Sequence, residues 1–144
     1  MPDKPLALCS DLDGTLALIG PRNVYDDKKC YCDTVDEKVA SVIWAMLSHA
    51  KYQLIFMSGR QDRSRVETVR WLKDKAGFQP GSYELFMRCT GDNRPDDIVK
   101  EELYRYCILP KYDVWIWLDD RSKVVKMARE RLGLTVFQVA AGDF

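Results

Sequence analysis

The feature that most restricts this chain is an alternation. Five short apolar runs, Leu6–Ser10, "YQLIFMSG", "YELFMRC", "VWIWLDD" and "LTVFQVA", are separated by stretches in which apolar residues recur at helical spacing. Repetition of this kind calls for a parallel sheet, because each helix must carry the chain back to the start of the next strand. Helices then cover both faces.

The first helix is the clearest. Val39, Val42, Ile43, Met46, Leu47 and Ala50 follow its period behind a Thr34-x-x-Glu37 capping box. Asp62 to Ala76 is expected as a second helix with Val66, Val69 and Leu72 inward. Pro95 suits the opening turn of a third that runs to about Cys107, before Pro110. Ser122 to Leu132 forms a fourth, with Gly133 placed to end it. Trp115 and Trp117 alternate with Val114, Ile116 and Leu118 as in a strand buried on both faces, and all four tryptophans read as core. The expected fold is α/β, a single Rossmann-like domain over residues 1–144 with a five-stranded, mainly parallel sheet. These elements use up nearly all 144 residues, so no large cap domain is expected. The irregular stretch from Leu16 to about Cys32 is expected to form a flap.

Composition excludes more than it names. The 22 basic and 22 acidic side chains cancel, so any nucleic-acid contact must come from a local patch. No apolar run approaches the ~20 residues that span a bilayer, and the N-terminus lacks a secretory layout. A cytoplasmic protein without membrane contact is expected. Cys9, Cys30, Cys32, Cys89 and Cys107 are an odd set without Cys-x-x-Cys spacing, which suits reduced thiols. With His49 as the single histidine, Cys30-Tyr-Cys32 lacks partners for a closed zinc site.

The chemistry collects at strand ends. In sheets of this type ligands bind at the carboxyl ends of the strands, near the point where strand order reverses. Strand one ends on Asp11-x-Asp13-Gly14-Thr15, strand two on Ser58-Gly59-Arg60 and strand four on Asp119-Asp120-Arg121; the segment after strand three leads to Arg94, Asp96 and Lys100. Asp11 and Asp13 share one side of an extended backbone, and with Asp119 and Asp120 they would repel unless a hard cation sat among them. Mg2+ suits an all-oxygen set. With charge masked, Asp11 can attack phosphorus and form an aspartyl phosphate, while Asp13 protonates the leaving oxygen and later activates water. Ser58 and Lys100 can hold the transferring phosphoryl group.

Each piece also has a plainer reading. Asp-x-Asp-Gly-Thr can be a calcium loop or a turn, Ser58-Gly59-Arg60 and Asp119-Asp120 can be helix caps, and Lys100 can be a solvated helix lysine. Arg63 and Arg65 can form a solvated helix face. The four segments in order favour phosphoryl transfer.

In those four segments the chain resembles the haloacid dehalogenase superfamily of phosphotransferases. It is most similar to the 3′-phosphatase domains of bacteriophage polynucleotide kinase-phosphatases, on "DLDGTLA", "SGR", Arg22, Tyr25-Asp26, "DDIVKEELY", "DDRSKVV" and "VAAGDF". The resemblance implies Asp11, Asp13, Ser58 and Lys100 as the catalytic set. It implies metal binding by Asp11, Asp119 and Asp120 with the backbone carbonyl of Asp13, and leaves open which of Asp119 and Asp120 binds directly. Arg22, Arg60 and Asp96 join the site on the substrate side, beside Thr15 and Gly59 of the motif loops. The implied substrates are 3′-phosphorylated DNA or RNA ends, and a separate kinase or ligase as partner is left open. No Gly-x-x-x-x-Gly-Lys-Ser/Thr loop occurs, so 5′-kinase activity is not expected here. Two rivals are a phosphatase of nucleotides or other small esters, and an aspartyl-phosphate signalling module.

Overall fold

The computed structural model describes residues 3–144. The chain runs through β1 (Leu6–Ser10), the short strand β2 (Ala17–Leu18), a 3₁₀ turn at Asp27–Cys32, the short strand β3 (Thr34–Val35) and α1 (Glu37–His49). It continues through β4 (Gln53–Gln61), a 3₁₀ turn at Asp62–Ser64, α2 (Arg65–Asp74), β5 (Tyr83–Arg88) and α3 (Asp96–Leu103). A π turn at Tyr104–Ile108, β6 (Asp113–Asp119), α4 (Ser122–Glu130) and β7 (Val136–Gln138) complete it.

The sheet order is β5-β4-β1-β6-β7 and every neighbouring pair is parallel. Strand order reverses at the central β1. Period-two alternation divides its side chains between two cores. Leu8 packs with Leu54, Phe56 and Leu118 under α1 and α2, while Ala7 and Cys9 pack with Ile55, Met57 and Trp117 under α3 and α4. A sheet covered on both faces leaves its strand ends as the place for polar chemistry.

The segment after β1 runs outside the five-stranded sheet as a flap before α1. β2 and β3 pair antiparallel at its base, and no cap domain is inserted among the described residues. Its return leg is tied to α2 by Trp71 Nε1, which donates to the Asp33 carbonyl at 2.9 Å, and by Tyr31 Oη, which donates to Asp74 at 3.0 Å. Arg70 also lies 4.1 Å from the Tyr31 ring centre.

Several local expectations are corrected. Trp115 is 52% exposed, because the β1–β6 register shifts between Ala7 and Leu8: Ala7 pairs with Val114 and Leu8 with Ile116. Trp115 is the extra residue of a β-bulge, and alternation breaks there. Trp44 is also exposed, stacked on Phe78 at a centroid distance of 4.5 Å; Trp71 and Trp117 are buried.

On α2 the inward positions are Thr68, Trp71 and Leu72, while Val66 is 77% exposed. Thr68 faces inward because it accepts a hydrogen bond from Arg60 Nη1 at 3.1 Å, a polar reason that apolar periodicity misses. Val42 of α1 is likewise exposed. The cap of α1 is Asp36, whose side chain accepts from the backbone N–H groups of Lys38 and Val39. Thr34 belongs to β3. No helix among the described residues is long and apolar enough to cross a membrane.

Candidate active site

Asp11 follows β1, Ser58 and Arg60 lie on β4, Lys100 lies on α3, and Asp119 ends β6. The parallel order brings these distant segments to one edge of the sheet. Lys100 is the central cation. It is 1% exposed, and its Nζ lies 2.9 Å from Asp11 Oδ1, 2.9 Å from Asp119 Oδ2 and 3.4 Å from Asp96 Oδ2. Burial opposes the charge on Lys100, but Asp11, Asp119 and Asp96 outweigh it and raise its pKa well above the ordinary value.

Asp11 is 5% exposed. Thr15 Oγ1 lies 3.1 Å from its Oδ2 and 3.3 Å from Asp120 Oδ1, so one hydroxyl hydrogen serves two carboxylates. Burial, then the charge of Asp119, push Asp11 well above the usual carboxylate range against the pull of Lys100. Asp120 is raised for the same first reason.

Asp11, Asp119 and Asp120 each offer an oxygen, all within 4.8 Å of one another. Three buried carboxylates, two of them on Lys100, form an all-oxygen donor set suited to a hard divalent cation. Asp119 is further fixed by Trp117 Nε1, which donates to its Oδ2 at 3.2 Å, and by the Arg121 N–H, which donates to its Oδ1 at 3.1 Å.

Gly14, at φ +80°, makes the turn after Asp13; a Cβ there would collide with the Asp120 carboxylate. Gly59 likewise leaves room for the Asp96 carboxylate. Burial raises the Asp96 pKa, but Lys100, Arg121 and Arg88 together bring it below the ordinary value.

The Asp13 carboxylate stands apart from the carboxylate cluster. Its Oδ1 accepts from Arg60 Nη2 at 2.6 Å, Arg60 Nε at 3.1 Å and Arg22 Nη2 at 3.3 Å. Its side chain is partly exposed. Both arginines are buried and joined by Asp33, a residue that the sequence reading missed. Arg22 Nε and Nη2 each lie 2.9 Å from an Asp33 oxygen, and Arg60 Nη2 lies 3.2 Å away. Its hydrogen bond to Asp33 holds Arg22 above its ordinary pKa; for Arg60, burial is outweighed chiefly by Asp13. Ser58 Oγ accepts the Arg60 N–H at 3.1 Å, which leaves its own hydroxyl hydrogen free to donate.

Above these groups lies an open cleft of about 590 Å³, lined by Asp11, Asp13 and Asp120 at its chemical end and by Tyr25, Arg63, Arg121 and Lys123 among others. Asp27 is a second missed residue. It accepts the Gln61 N–H at 2.9 Å and Arg63 Nη2 at 3.3 Å, and so ties the flap to the end of β4. Arg65 pairs with Asp62 at 2.7 Å.

Residues 5–144 match the family model of the polynucleotide kinase PNKP phosphatase domain. The chain belongs to this family. It is a phosphatase of the haloacid dehalogenase type, and its relatives agree with the fold. A protein of Autographa californica nuclear polyhedrosis virus, described as a candidate bifunctional polynucleotide kinase/RNA ligase, is 35% identical over 136 residues, 94% of this chain and 19% of that protein. A chain from a structure of a Pnkp1/Rnl/Hen1 complex superposes with a TM-score of 0.89 at 40% identity, over 98% of this chain and 48% of that one. A second, from a structure of the Pnkp1/Rnl/Hen1 RNA repair complex, gives 0.90 at 40% identity, over 98% and 44%. The PNKP-type domain therefore spans less than half the length of each of these relatives.

Of the two missed acids in this PNKP-type site, only Asp33 had a signal in the sequence. Arg22 and Arg60, if buried, need a counter-ion beyond Asp13, and the flap supplies Asp33; Asp27 pairs with Arg63 instead.

Proposed function

We propose that this domain removes 3′-terminal phosphate from polynucleotides in a Mg2+-dependent reaction through an aspartyl-phosphate intermediate, as one step of nucleic-acid end repair. The observation that carries the reading is the placement of Asp11 at the floor of an open cleft, one oxygen on Lys100 and the other beside Thr15.

Asp11 attacks phosphorus while Asp13, aimed by Arg22 and Arg60, protonates the departing 3′ oxygen; Asp13 then takes a proton from the water that cleaves the acyl phosphate. Lys100 and the free hydroxyl hydrogen of Ser58 hold the phosphoryl oxygens. Asp11, Asp119 and Asp120, with the Asp13 carbonyl, would hold Mg2+, which supplies charge neutralisation between nucleophile and phosphate. Asp13 would join that site through its backbone, its carboxylate being engaged by the arginines.

An open cleft without a cap domain suits the end of a polymer, and Arg121 and Lys123 on its lining suit the phosphates that precede the end. The relatives support a setting in RNA repair, with a kinase or ligase elsewhere as partner. The five free cysteines agree with a reducing, cytoplasmic compartment.

The test is phosphate release from end-labelled DNA and RNA carrying 3′ or 5′ phosphates, with Mg2+ or EDTA. Release from 3′ ends that needs Mg2+ supports the reading. Faster turnover of 3′-mononucleotides than of oligonucleotides would overturn the polymer substrate, and a single turnover without phosphate release would favour a signalling module.

A further inference from the structure

The flap carries an aromatic side chain that the reaction above leaves without a role. Tyr25 is 84% exposed, yet it lines the same cleft as Asp11 and Asp120. A lone exposed aromatic residue is ordinary, but the loop that presents this one is built to hold it. The Tyr25 N–H donates to Asn23 Oδ1 at 2.9 Å, and the Asp26 N–H donates to the Asn23 carbonyl at 2.9 Å. Arg22 Nη1 donates to the Val24 carbonyl at 3.2 Å and lies 3.4 and 3.5 Å from the carbonyls of Asn23 and Asp26.

The other arm of the same guanidinium donates to Asp13 Oδ1 at 3.3 Å. One buried arginine thus sets both the acid–base carboxylate and the turn that bears the ring. Folding gains nothing by keeping Tyr25 in water. Val24, Ile19 and Phe144, the last with the Arg121 guanidinium 4.8 Å from its ring centre, line the same cleft.

We propose that Tyr25 is the stacking platform for the terminal nucleobase of the substrate, an inference that rests on the reading of a polynucleotide 3′ end. With the terminal phosphate at Asp11, the sugar and base of the same nucleotide extend into the cleft that the Tyr25 ring lines. Every base offers a π face, so the contact strengthens binding of any end without selecting a sequence. It also gives the enzyme a preference for a nucleotide over a bare sugar phosphate.

The test uses two oligonucleotides that share a 3′-phosphate, one ending in an ordinary nucleotide and one in an abasic sugar. The wild-type protein is expected to favour the base-bearing end about tenfold in kcat/KM, mainly through KM. Tyr25→Ala is expected to erase that ratio and Tyr25→Phe to keep it, with thermal melting confirming that both variants fold. Equal use of the two ends by the wild type, or an unchanged ratio in Tyr25→Ala, overturns the platform and leaves the 3′-phosphatase reading standing. Failure of the wild type on both 3′ ends, alongside hydrolysis of a small phosphate ester, removes the function proposed above and this inference with it.

Discussion

Arg22 and Arg60 converge on a single oxygen of Asp33, their Nη2 atoms 2.9 and 3.2 Å from its Oδ2. Asp33 is fully buried at its side chain and touches neither the cleft nor the carboxylate cluster. Its effect on the reaction passes through the two guanidinium groups to Asp13. Asp33→Asn leaves two buried cations short of compensation. The expected result is a loss of roughly 3–5 kcal/mol in stability by denaturant unfolding, with a fall in kcat larger than the change in KM.

Asp13→Asn keeps the size of the side chain and removes its proton. Turnover of an oligonucleotide 3′-phosphate is expected to drop by about 10²–10⁴-fold, with the fold kept but the melting temperature lowered, because buried Arg60 loses the carboxylate that chiefly offsets its desolvation. Near-normal activity in this variant would refute the acid–base assignment.

Asp11→Asn is expected to abolish phosphate release while leaving the fold as stable as the wild type or more so. The reason is electrostatic: the substitution takes one charge from a buried group of carboxylates, and Lys100 keeps Asp119 and Asp96 as partners. A large drop in melting temperature in metal-free buffer would contradict this picture of crowding.

Mg2+ is expected to raise the melting temperature of the wild-type protein over an EDTA control, since an ion that binds only the folded state stabilises it by mass action. Asp119→Asn and Asp120→Asn should each reduce that increase. Gly14→Ala should reduce it too, through the Cβ that would displace the Asp120 carboxylate. An increase that survives all three substitutions would place the cation elsewhere.

The thiols give a check on the fold itself. Cys32 and Cys89 are exposed, whereas Cys9 is buried between β4 and β6 and its pKa is raised by burial. Iodoacetamide at neutral pH should modify Cys32 and Cys89 first and leave Cys9 untouched until the protein unfolds. Early modification of Cys9, read by mass spectrometry, would contradict the central position of β1.

Much of this arrangement was legible because strand ends carry their chemistry in order. Asp11, Ser58 and Asp119 each follow or belong to a strand that its apolar run identifies, Lys100 lies on a helix that Pro95 and Pro110 bracket, and the topology brings them together. Asp33 and Asp27 were harder to read, since acids in an irregular segment look like solvated loop until their partners are seen: the buried pair Arg22 and Arg60 for Asp33, and Arg63 with the Gln61 N–H for Asp27. Trp115 and Val66 mislead for another reason. A bulge and an inward-facing threonine shift which positions face the core, and both depend on partners distant in the chain.

The indole of Trp117 packs under the sheet and donates its N–H to the same Asp119 oxygen that Lys100 reaches. A fluorophore is thereby wired to the charge state of the cluster. Emission from this buried ring should shift as cation or phosphate arrives, giving an optical titration of the centre that needs no added dye.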